Sequence, residues 1–143
     1  MALQILQAGF EEGVRAKLGV SQGELPNEVI NQRLVAELAE STIISRVPGW
    51  QSIVDTRELL LLEGSVISYI CYLLAPSMSR RLNLSVTTLD VTWRKDKVDW
   101  QALADVYAGE SDMALIEIES VEVAVGGDSK LVDYARNTRS PLV

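Results

Sequence analysis

The sequence has 143 residues, 48% of them hydrophobic but only 6% aromatic, and it carries a formal net charge of −7 with no histidine and one cysteine. That length and apolar content fit one domain whose core is filled by Leu, Ile, Val and Ala. The lack of histidine excludes Ser–His–Asp and Cys–His nucleophile systems built from this chain alone, and a lone Cys71 excludes internal disulfides and multi-cysteine zinc sites.

In chain order, Leu3, Leu6, Phe10, Val14 and Leu18 recur at three- and four-residue spacing, which predicts one face of an amphipathic helix with Gly19 as its stop. The opening MALQILQAGFEEG has no basic region and meets acids too early for a secretory signal, so a soluble protein of a reducing compartment is expected. Ser21 to Pro26 reads as a turn, with Pro26 suited to the first turn of a second helix over 27–46. Ile30, Leu34 and Leu38 form the main stripe of that helix, with Ile44 and Val47 near its end. Pro48-Gly49 stops it, and Trp50 is expected to pack over the exit.

Asp55 and Glu58 have capping-box spacing for a third helix. From Leu59 to Leu74 apolar residues occupy almost every side, which predicts a buried central helix whose neighbours need not all belong to the same chain. Its charge-free run, Gly64 to Ser79, is short for a membrane span. Cys71 lies in this run and is expected to be an inert core thiol. Beyond Pro76 the pattern changes: Leu84, Val86, Thr88 and then Leu89, Val91, Trp93 fit a short strand or an ordered loop equally well. Asp99 is an N-cap for the last helix, with the stripe Trp100, Leu103, Ala104, Tyr107, Ser111, Ala114, Leu115, Ile118 running through Gly109. Val121, Val123 and Val125 alternate as a short strand before the Gly126-Gly127 joint, and the remaining tail has too little apolar periodicity to demand a place in the core. The expected architecture is mainly α: a compact bundle of about four helices with a short extended segment and a flexible C-terminal arm. Residues 1–119 form the body and 120–143 the strand and arm.

Charge is uneven along the chain. Residues 1–98 hold eleven acids and ten bases, whereas 99–143 hold nine acids and three bases. No Lys or Arg falls between Val98 and Ser129 while Asp105, Glu110, Asp112, Glu117 and Glu119 accumulate. A solvated helix face is the plain reading; the sharper one is a surface for a basic partner, or a channel wall that does not grip nucleic acid, whose binding needs Lys and Arg at phosphates. Arg80-Arg81 and Arg94-Lys95-Lys97 are the only basic clusters, better explained by solubility than by a phosphate site. No Gly-rich phosphate loop, EF-hand or zinc spacing is present, and no cofactor or metal is expected. The three tryptophans, Trp50, Trp93 and Trp100, fit core packing first and interface anchors second.

Three runs carry a family resemblance. Arg15-Ala16-Lys17-Leu18-Gly19-Val20 followed by Leu25-Pro26-Asn27-Glu28-Val29-Ile30 resembles the opening of head–tail connector proteins of tailed bacteriophages. Cys71-Tyr72-Leu73-Leu74-Ala75-Pro76-Ser77-Met78, then Arg81-Leu82, is similar to their middle helix and its exit, and Thr92-Trp93-Arg94-Lys95-Asp96-Lys97-Val98-Asp99-Trp100 to the start of their last long helix. The similarity covers roughly residues 12–118 and rests on packing and capping patterns.

The resemblance implies a non-enzymatic virion protein of the phage neck. It would form a ring, usually twelve-fold, on the portal vertex, extend the DNA channel without binding DNA specifically, and offer a platform to the next head-closure or tail protein. It would be assembled in the host cytoplasm and need no membrane. On that reading the arm docks onto portal or neighbour through Val121, Val123, Val125, Leu131, Tyr134, Arg136, Arg139, Leu142 and Val143. Asp105, Glu110, Asp112, Glu117 and Glu119 are the channel-facing candidates. A cytosolic helical scaffold or regulator that binds partner chains is the alternative. An enzyme using carboxylates such as Asp90, Asp96 or Asp99 is the least favoured class, since nothing places two of them in one apolar pocket.

Overall fold

The computed structural model describes residues 3–85 and 98–124, which are mainly α-helical with no β-strand among them. The elements are α1 (Phe10–Leu18), the single turn α2 (Asn27–Ile30), a π-helical turn (Arg33–Glu37), α3 (Leu38–Arg46), a 3-10 turn (Trp50–Ser52), α4 (Thr56–Ser85) and α5 (Trp100–Ile116). Of the extended segment expected over Leu84–Trp93, Leu84 belongs instead to α4, which continues the helix through it, and residues 86–93 lie outside the described residues, as does the arm from Val125 onward.

Helix α1 starts later than its stripe. Leu6, Phe10, Val14 and Leu18 are all buried, but residues 3–9 are a non-helical strap. The strap is held by one side chain: the Glu40 carboxylate, itself 4% exposed, accepts N–H bonds from Gln4, Ile5 and Leu6. Those amides are therefore satisfied without a helix. Gly9, at φ 88°, supplies the left-handed bend into α1, and Gly19, at φ 73°, ends it by donating to the carbonyls of Arg15 and Ala16.

The second predicted helix is broken, which corrects the stripe drawn through it. Gln32 is extended (φ −62°, ψ 145°) and the next turn is π-helical. Val35, Ala36, Ala39 and Ile43 face the core, while Leu34 is 77% and Leu38 42% exposed. The break lies between two attachments. The α2 turn follows α1, because Arg15 donates to the Leu25 carbonyl and the Asn27 side chain, and Asn31 to Glu11. α3 is instead tied to the strap through Glu40. A wider π turn between them shifts the helical phase and turns the two leucines outward. Val47 is buried and Trp50 half-buried, as the proline–glycine stop implied.

Asp55 caps α4 through the Arg57 N–H at 3.0 Å, but Glu58 does not complete the capping box. α4 runs on through Pro76 to Ser85, past the point where the periodicity changes. Pro76 is on the exposed side, where a missing N–H is tolerated. By length and composition alone Thr56–Arg80 would cross a membrane, longer than its charge-free run suggests. In this fold it is the core helix: Leu62, Val66, Ile70, Cys71, Leu74, Ala75 and Met78 are buried by the rest of the chain. α5 packs along it more extensively than any other element and buries Trp100, Ala104, Tyr107, Ser111 and Leu115 of the predicted stripe, without interruption at Gly109; Leu103 and Ala114 are half-buried, and the buried Ile118 follows the helix end. Asp99 caps it by accepting from the Ala102 N–H at 3.1 Å. Where the two helices touch, the Ser111 hydroxyl donates to the Ser65 carbonyl at 2.9 Å.

Candidate docking surfaces

The acids of α5 and its exit are not an uncompensated face. Glu110 pairs with Lys17 of α1 at 2.5 Å, Asp112 with Arg46 of α3 at 2.6 Å, and Glu117 with Arg57 of α4 at 3.3 Å. The bases missing from residues 98–129 come from earlier in the chain, and three of the five channel-facing candidates tie α5 to other helices. The Arg46–Asp112 pair is the most enclosed of these; the other two are open to solvent and worth at most about 1 kcal/mol each. Asp105 and Glu119 are exposed.

After α5 the chain is fastened to the body. The buried Glu58 carboxylate accepts from the N–H groups of Glu119 and Ser120 and from the Ser120 hydroxyl. The Ala124 N–H donates to the Arg46 carbonyl at 2.8 Å, and Val121 lies 3.6 Å from where a side chain at Gly49 would start. Residues 121–124 are thus irregular chain rather than the predicted strand. Val121 and Val123 pack against the chain's own core. They border a shallow groove of about 520 Å³ formed with Pro48 and Gly49. Of the other docking candidates, Val125, Leu131, Tyr134, Arg136, Arg139, Leu142 and Val143 lie outside the described residues.

Hydrogen bonding from Ser120 and then Glu119 holds Glu58 below its ordinary pKa of 4.5. Because the folded value is the lower one, its stabilisation is present above the unfolded pKa and is lost as pH falls through the folded value. The α5 exit should therefore loosen as pH falls below 4.5, seen as faster amide exchange at residues 117–124, and Glu58→Gln should flatten that acid limb. An unchanged limb in the variant would assign the acid sensitivity to other carboxylates.

Two further apolar surfaces are open. The first is the ridge that the π turn creates, where Leu34 and Leu38 stand with Arg33, Glu37 and Ser41 around a shallow groove of about 580 Å³. The second is a depression of about 250 Å³ between the strap and the start of α4, lined by Ile5, Trp50, Leu59, Leu60 and Leu62, with Glu63 also in its wall. Sequence reasoning placed Leu34 and Leu38 in the core and so missed the ridge. The competing stripe Val35, Ala36, Ala39, Ile43 was the available signal, and choosing between the two phases needed the break at Gln32.

Among the described residues no group of three or more Cys, Asp or Glu side chains is placed to hold a metal ion. Cys71 is buried, its thiol 3.8 Å from the Val14 carbonyl oxygen, and burial pushes its pKa up to about 12, so it is not a nucleophile at neutral pH. Asp99 is a helix cap; Asp90 and Asp96 lie outside the described residues. No protein-family model, curated protein or solved structure matches the chain. The described residues form a mainly α fold with an ordered polar framework and open apolar grooves on its surface.

Proposed function

We propose that this chain is a structural adaptor of a tailed-phage neck, forming a homo-oligomeric ring on the portal vertex. The ring extends the DNA channel and presents a platform to the next head-closure or tail protein, within the virion and without catalysis. The observation that carries the reading is the pair of open apolar surfaces, one at Leu34 and Leu38 and one at Trp50, Leu59 and Leu60. Apolar surface left open in this way suits protein docking.

The quoted runs support the phage reading because their residues act together in the fold. Arg15, buried in α1, grips Leu25 and Asn27 of the next run, Gly19 ends α1, and Asp99 caps α5. Asp105 and Glu119 are exposed channel-facing candidates, while Glu110, Asp112 and Glu117 join ion pairs to other helices. DNA would pass such a wall without being held.

Electron microscopy of the purified chain mixed with its cognate portal protein tests the proposal. Rings stacked coaxially on portals are the expected result. A chain that stays apart as a monodisperse monomer would instead identify a cytosolic scaffold or regulator. Deleting residues 128–143 should leave the melting temperature of the body unchanged but abolish co-sedimentation with portals. Undiminished co-sedimentation would remove the arm from the docking surface.

A further inference from the structure

We infer that copies of this chain join head to tail, the Leu34–Leu38 ridge of one copy seating in the Trp50–Leu60 depression of the next. The inference deepens the adaptor reading by naming its self-contact. The two surfaces share no lining residue. Leu34 is 77% exposed because the π turn aims it outward, and π insertions in helices concentrate at functional positions. The depression holds about 250 Å³, and a cavity of about 150 Å³ already admits a benzene ring, so a leucine side chain fits.

Charge agrees with the pairing. Arg33, next to Leu34, is almost fully exposed and held only by a 3.6 Å contact to Glu37 within its own turn. Glu63, in the wall of the depression, has no ion-pair partner among the described residues. Seating the ridge brings the exposed Arg33 of one copy to Glu63 of the next, which selects the register as well as the partner. A contact between unlike surfaces leaves each copy with one unused ridge and one unused hollow, so it propagates into a ring or a filament rather than stopping at two. Both surfaces are small, so the contact is weak in free solution and strengthens when a template holds copies side by side.

Oxidative crosslinking of the purified chain, with no portal present, tests the contact. Both positions are exposed and Cys71 is buried, so substitution leaves the fold and the native thiol out of the reaction. Leu34→Cys mixed with Leu60→Cys should give bridged dimers at least tenfold above Leu34→Cys mixed with Val106→Cys, an exposed control on α5. A single chain carrying both Leu34→Cys and Leu60→Cys should give a ladder extending beyond dimers. Arg33→Glu or Glu63→Arg alone should lower the yield several-fold, and a mixture in which the two reversed residues face each other should restore it.

A yield no higher than the control overturns the contact. A ladder that stops at dimers, or equal self-crosslinking by Leu34→Cys alone, overturns the head-to-tail geometry. Portals decorated in the absence of 34–60 bridges would leave the adaptor reading and remove this contact; bridges without portal decoration would do the reverse.

Discussion

Glu40→Ala is expected to lower folding stability by about 3–5 kcal/mol and to release residues 3–9 from the body. The estimate follows from the arrangement of donors. One buried carboxylate satisfies three consecutive N–H groups, at Gln4, Ile5 and Leu6. A hydrogen bond to a charged group contributes about 1.5–3 kcal/mol, but the three are not additive, because a freed strap turns its amides to water. The loss also uncovers Ile5 and Leu6, whose burial stabilises by about 1.5–3 kcal/mol each. Glu40→Gln, which keeps one acceptor oxygen but presents an NH2 group to the other donors, should lose roughly half as much.

Urea denaturation gives the stability, and amide exchange at residues 4–6 locates the effect. A loss under about 1 kcal/mol for Glu40→Ala would mean that the strap contributes little to folding. The variant also bears on docking, because the strap supplies one wall of the Trp50–Leu60 depression. Self-crosslinking through position 60 should fall with it.

Ile70→Ala is expected to cost about 3–4 kcal/mol, whereas Leu60→Ala, ten residues earlier on the same helix, should change stability by less than about 0.5 kcal/mol. Ile70 is fully enclosed and truncating it leaves a cavity; Leu60 is 64% exposed. The contrast separates the two sides of an over-apolar helix: one is core, and the other is surface available to a partner. Leu60→Ala should nevertheless weaken ring formation on portals and chain-to-chain crosslinking. Equal destabilisation by both substitutions would show that position 60 is covered within its own chain.

Much of this molecule was legible in local pattern. The α5 stripe, its Asp99 cap, the Gly19 stop, the buried Cys71 and the central helix all depend on neighbours three or four residues away, which spacing displays directly. The strap was not legible in that way. Leu3 and Leu6 keep the spacing of α1, yet the backbone N–H groups of Gln4, Ile5 and Leu6 are claimed by Glu40, more than thirty residues away. Glu58 misled for the same reason: it has the spacing of a local cap, but it bonds to Glu119 and Ser120 across the body.

The candidate sites followed the same division. A charge-by-position reading found the acids of α5 but not the Lys17, Arg46 and Arg57 side chains that meet three of them. The stripe through Ile30, Leu34 and Leu38 assumed one unbroken helical phase, and the π turn changed it.

By itself, then, the sequence determined the helical class, the identity of the core helix, most helix ends and the exclusion of histidine-dependent chemistry, because these depend on composition and short-range periodicity. Only the tertiary structure decided where the helix over 27–46 breaks, which leucines face out and which acids are paired. Those outcomes are set by contacts between residues distant in the chain: two attachments pull α2 and α3 apart in phase, and bases from three earlier helices reach the acids of α5.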